Sequence, residues 1–180
     1  MLKIGFDNDK YLKLQSEKIK ERILGYDKLY LEFGGKLFDD FHASRVLPGF
    51  MPDSKLKMLL QLKDEAELLI VISANDIEHN KVRQDLGISY DQDVLRLIDA
   101  FKAVDLYVGS VVVTQYAAQP EADAFIEHLN KLGVSVKKHF NIKGYPSDVE
   151  FIVSDDGFGK NEYIETTRKL VIVTAPGPGS

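Results

Sequence analysis

The feature that most restricts this chain is a change of hydrophobic period that recurs from one end to the other. Segments with apolar residues at helical spacing alternate with short, continuous apolar runs. Leu12, Ile19 and Ile23 share one helical face between Asp9, the expected N-cap, and Gly25, the expected stop. Residues 28–33, Lys-Leu-Tyr-Leu-Glu-Phe, read as a strand halted by Gly34-Gly35. Asp53, after Pro52, opens a helix carrying Leu56, Leu59 and Leu60. Residues 68–72 form the uninterrupted apolar run of a strand covered on both faces. Val94, Leu97, Ile98 and Phe101 return to helical spacing, and residues 106–113 form the next buried strand. Pro120 sits well at a first helical position, with Phe125, Ile126, Leu129 and Leu132 behind it and Gly133 as the stop. Further strands are expected over 134–139, 149–153 and 170–174, with a short helix over 161–167 between the last two.

Strand and helix in rotation imply right-handed crossovers and a mostly parallel sheet. The expected fold is α/β: a three-layer, mostly parallel sheet with helices on both faces, a P-loop-like or Rossmann-like half. Residues 1–180 are expected to form one domain, on which the helix over 9–25 docks. The strands over 29–33, 68–72, 106–113 and 170–174 should lie parallel, with their following loops on one edge. A chain of 180 residues buries enough surface to fold without metal or disulfide. It has no cysteine, which excludes a thiolate metal site, an iron–sulfur cluster and a cysteine nucleophile. Its net charge of −5 argues against nucleic acid as a partner, because phosphate backbones need clustered Lys and Arg. No run approaches the ~20 apolar residues of a membrane span, and the charged N-terminus is unlike a signal peptide. A cytoplasmic protein without membrane partners is expected, and a homo-oligomer is compatible with it.

In an open parallel sheet, ligands bind beyond the carboxyl ends of the strands. Those ends carry Gly34, Gly35 and Lys36; Ser73, Asn75 and Asp76; Thr114, Gln115 and Tyr116; Asp155, Asp156 and Lys160; and finally Pro176, Gly177, Gly179 and Ser180. The last is the sharpest signal. A buried strand running into a glycine-rich turn can converge backbone N–H groups on a phosphate, so Gly177, Gly179 and Ser180 are candidate cofactor-binding residues. A flexible tail explains the same composition. Gly34, Gly35 and Lys36 could likewise approach a phosphate, or form only a tight turn with a solvated lysine.

The catalytic candidates are fewer. Asp76, at a strand end, suits a base or a magnesium ligand; alternatively Asn75 or Asp76 caps a helix running through Leu86. His42 and Arg45 could line the crevice, with Arg45 gripping an anion bidentately. Asp39, Asp40 and His42 also offer donors for a divalent ion, although acidic surface residues with an incidental His are the commoner outcome. Asp155 is a second candidate magnesium ligand, but an Asp-Gly turn suffices for its segment. His128 and His139 read as structural.

Four peptides carry a family resemblance: residues 31–37 (Leu-Glu-Phe-Gly-Gly-Lys-Leu), 42–50 (His-Ala-Ser-Arg-Val-Leu-Pro-Gly-Phe), 85–94 and 173–180 (Val-Thr-Ala-Pro-Gly-Pro-Gly-Ser). Over its whole length the chain resembles the N-terminal part of the bacterial family called domain of unknown function eighteen forty-six. Members of that family are longer and continue with Gly-Lys after this turn. The resemblance implies a truncated product or an excised piece, inactive alone, whose last residues open a P-loop-like turn. Pro176 departs from the usual motif, which begins with Gly. The expected function is the N-terminal part of an enzyme binding a nucleotide or phosphorylated metabolite, with magnesium as a possible companion. The alternative is a non-catalytic ligand-binding or assembly module.

Overall fold

The computed structural model describes residues 5–34, 37–38 and 40–177. Five strands form one parallel sheet in the order β1-β7-β2-β5-β6. They are β1 (Leu29–Phe33), β2 (Ala66–Ser73), β5 (Val108–Tyr116), β6 (Val136–Phe140) and β7 (Leu170–Thr174). β7 enters between β1 and β2, pairing Leu31 with Ile172 on one side and Leu68 with Ile172 on the other. All four of the long strands expected from sequence are therefore parallel, with their exits on one edge. A separate two-stranded antiparallel hairpin joins β3 (Val82–Arg83) to β4 (Ile88–Ser89).

Topology places the layers. The crossovers β1 to β2, β2 to β5 and β5 to β6 all step in the same direction, so right-handedness puts their helices on one face. Leu68, Ile70, Ile72, Val111, Val113, Leu170 and Ile172 alternate onto that face and join one buried cluster. Against it pack α1 (Asn8–Gly25), α3 (Ser54–Leu60), α5 (Tyr90–Ala103) and α6 (Pro120–Lys131). Only β6 to β7 steps backward, so its connection returns over the opposite face. That return is pinned where the buried Glu67 carboxylate accepts from Thr167 N and Oγ1, at 2.8 and 3.0 Å. The third layer is this connection, carrying α7 (Val149–Ile152) and a 3₁₀ turn over Phe158–Lys160.

Several local expectations are corrected. Residues 149–153 are helical rather than a strand, because Asp148 caps Phe151 N at 3.1 Å and the segment lies outside the sheet. Residues 161–167 form no helix; Glu162 N, bonded to Lys138 O at 3.1 Å, holds them beside β6. The helix after β2 is α4 (Ala74–Glu78), capped by Ser73 rather than Asn75 or Asp76, and it ends well before Leu86. Asp7, not Asp9, caps α1. The buried strand expected over 106–113 begins two residues later and runs on to Tyr116. A helix absent from the sequence reading, α2 (Phe41–Val46), follows β1 and is capped by Asp40.

Candidate functional site

A crevice of about 470 Å³ opens at the carboxyl edge, where β1 and β7 end side by side. Gly34 leaves β1 and Pro176-Gly177 leaves β7, so the two glycine-bearing loops expected to carry ligand do meet. The hairpin supplies Val82, Arg83, Gln84 and Asp85; Asp40, Lys55 and Tyr90 complete the described lining.

Tyr90 is the first residue of α5 and only 5% exposed. Its ring lies against Gly177 so closely that a Cβ there would sit 2.5 Å from Tyr90 Cζ, and nearer still to the hydroxyl. Glycine at 177 is thus required by packing, whatever else the loop binds. Lys81 Nζ stands 4.9 Å from the Tyr90 ring centroid and 3.1 Å from Asp76 Oδ1. The Asp76 hydrogen bond, reinforced by the Tyr90 hydroxyl, holds the Lys81 ammonium above its usual pKa. Asp76 is therefore one contact behind the crevice. Its Oδ2 is buried without a partner, but an ammonium beside the carboxylate opposes a second cation there.

Arg83 anchors the hairpin. Its guanidinium is 5% exposed and grips Asp85 through Nε at 3.1 Å and a terminal nitrogen at 2.6 Å. The other terminal nitrogen reaches Asp93 of α5 at 2.9 Å, and Asp93, fully buried, also accepts from Arg96 at 2.7 Å. The Asp85 bonds, then those of Asp93, strengthen the guanidinium's hold on its proton against the cost of burial. On the far side Lys55 Nζ meets Asp40 Oδ2 at 2.8 Å, while Asp40 Oδ1 caps Ala43 N. The α5 N-terminus is already capped by the Ser89–Gln92 capping box, with Asp91 and Asp93 in its first turn. Among the described residues, the charges lining the crevice are thus matched in pairs, and a bare phosphate there would face Asp40 and Asp85.

The other expected residues fall elsewhere. His42 and Arg45 lie exposed on α2 and do not line the crevice. Asp155 is exposed in the turn after α7; it loses its place at a strand end because 149–153 is helical. Gly35, Lys36, Asp39, Gly179 and Ser180 lie outside the described residues. Among the described residues no three His, Asp or Glu side chains gather as a metal site. Nor is any described helix long and apolar enough to cross a membrane.

Tyr90, Lys55, Arg83 and Asp85 were missed as site residues. Gly87, at φ 67°, between the short runs 82–83 and 88–89 was a usable hairpin signal. No local pattern marks the ion pairs. A second polar cluster sits beyond β2 and β5: Ser73 donates to Gln115 Oε1 at 2.5 Å, and Gln119 Nε2 to Asn75 Oδ1 at 3.0 Å. Its hydrogen bonds tie neighbouring loops together.

Residues 4–180 match the family described as Domain of unknown function DUF1846, N-terminal. Similar proteins include a UPF0371 protein of Streptococcus sanguinis strain SK36 and one of Streptococcus equi subsp. equi strain 4047. Each is 60% identical over the whole of this chain. The chain spans about 37% of the length of those two relatives. With 60% identity across its entire length and a family match covering nearly every residue, the chain belongs to the DUF1846 family, as its N-terminal part.

Proposed function

We propose that this chain forms the N-terminal, ligand-holding part of a protein that binds a phosphorylated metabolite or nucleotide in the crevice at the carboxyl edge. The observation that carries the reading is the meeting of the Gly34 and Pro176-Gly177 segments, from neighbouring parallel strands, in one crevice with Tyr90, Lys55 and Arg83. Loops of this kind leave backbone N–H groups and small residues where a ligand can approach. The volume lies within the range of about 300–1,000 Å³ usual for small-molecule sites. Magnesium would arrive with a nucleotide rather than be held in advance by Asp76, which Lys81 engages.

The test is calorimetric titration of inorganic phosphate, ribose 5-phosphate and magnesium-ATP into the protein carried to the length of its relatives. Binding of at least one, weakened tenfold or more by Lys55→Met, is the expected result. No heat from any of them would overturn the reading.

A second reading, an assembly module, draws on a different observation. Tyr145, Val149, Val153, Phe158 and Tyr163, all on the β6–β7 connection, are 65–81% exposed. Such apolar exposure suits contact with further protein.

A further inference from the structure

Among the described residues, the crevice is lined by two ion pairs rather than by unmatched cations. Lys55–Asp40 comes from α3 and the loop after β1; Arg83–Asp85 comes from the hairpin. Tyr90, Val82 and Pro176 supply apolar surface to the same lining. A phosphate dianion approaching Lys55 or Arg83 must also approach the carboxylate each one holds, and the two effects largely cancel. A hydroxyl behaves differently. It donates and accepts at once, so it can give its proton to a carboxylate and take one from the neighbouring ammonium without disturbing the pair. Two adjacent hydroxyls can do this while the C–H face beside them packs on Val82, the exposed apolar side chain of the lining. The outer edges are within reach: side-chain exposure is 13% for Asp40, 28% for Lys55 and 44% for Asp85.

We propose that the two ion pairs facing the crevice, Lys55–Asp40 and Arg83–Asp85, take vicinal hydroxyls, so that the ligand is a phosphorylated sugar, free or as part of a nucleotide. The proposal rests on the reading of the crevice as a phosphometabolite site and names its substrate class. Asp85 and Asp40 accept from the diol, Lys55 donates to it, and Arg83, occupied by Asp85 and Asp93, holds Asp85 in place. The phosphate then lies beyond the pairs, on the side of Gly34 and Gly177.

The experiment uses AMP, its dideoxy analogue lacking both ribose hydroxyls, ribose 5-phosphate and inorganic phosphate. Affinities come from saturation-transfer NMR on the protein carried to the length of its relatives. AMP or ribose 5-phosphate should bind at least tenfold tighter than the dideoxy analogue. Asp85→Asn and Lys55→Met should each cut that preference threefold or more. A melting temperature for each variant confirms that it folds; Asp40→Asn, whose amide oxygen can still cap α2, provides a further check. Binding of AMP alone points to a nucleotide and binding of both to a sugar phosphate; either supports the proposal. Equal affinity for AMP and the dideoxy analogue overturns it while the phosphometabolite reading stands. Silence from every probe, inorganic phosphate included, overturns both.

Discussion

Gly177 is held to glycine by packing alone. The Tyr90 ring occupies the space a side chain would need, and Tyr90 itself is fixed by Lys81 on its face and by its backbone N–H to Lys81 O at 2.9 Å. Gly177→Ala therefore has to displace either the ring or the loop. Overpacking of this kind costs about 1–3 kcal/mol, and urea unfolding should show a loss in that range. In a Tyr90→Leu background the same change should cost much less, because the obstructing ring is gone; equal losses in both backgrounds would dissociate Gly177 from Tyr90. Asp76 is legible at this scale only in part. Its position after a buried strand pointed to the site, yet its link to Lys81 depends on how the chain turns between α4 and β3, which no residue spacing announces.

Elements are tied together here by buried charge and by one buried phenol. The hairpin has only two residues per strand, too few for independent stability, and Arg83 fixes it to α5 through Asp93. Removing one partner of a buried pair costs about 3–5 kcal/mol where the other charge is left unpaired, and less where, as with Arg83, Asp85 remains. Asp93→Ala should lose stability by less than that full cost in denaturant melts, whereas the double variant Arg83→Leu, Asp93→Leu should recover much of it. Across β5, α6 and β6, the Tyr116 hydroxyl donates to Asp123, with Lys138 Nζ 4.6 Å from the ring centroid. The Asp123 bond first, and burial second, hold the Tyr116 phenol above its usual 10.0. A raised pKa means the folded state keeps a proton that the unfolded state gives up. This stabilisation is complete below pH 10 and falls away as pH rises through the folded value. Tyr116→Phe should thus be less stable than the parent at pH 8 by about 1–3 kcal/mol. The gap should narrow above pH 10, and a gap constant to pH 11 would deny the linkage. Long periodic elements were legible because period alone identifies α5, α6, β2 and β7. Segment 149–153 was not: its apolar residues fit a strand, and only the Asp148 cap and the lack of a sheet neighbour make it helical. The hairpin was lost for a related reason, since two-residue strands have too few positions to show alternation.

For the whole molecule, the order β1-β7-β2-β5-β6 gives three interior strands and two edges, and stability is distributed accordingly. The helix-packed face holds residues at essentially zero exposure, among them Leu68, Ile70, Ile72, Val111 and Ile172. The return from β6 to β7 is different. α7 has four residues with none buried, and from 141 to 169 only Gly157 is buried. Local opening costs least where buried apolar contacts are few, so this return should open far more readily than the sheet. Its strongest tether is Glu67, only 2% exposed, which takes Thr167 and sits so close to Gly109 that no side chain fits there. Limited proteolysis of the 180-residue chain should therefore cut first between 141 and 165, leaving β1 through β6 as a resistant fragment. Glu67→Ala removes the tether and should speed that cut several-fold, by an amount that follows the opening equilibrium when cleavage is slow. If the exposed apolar residues of this return meet the remainder of the longer protein, as the assembly reading holds, the same cut should slow markedly in a protein of the relatives' length. A first cut inside 66–116, or equal rates at both lengths, would place the weak region or its covering elsewhere.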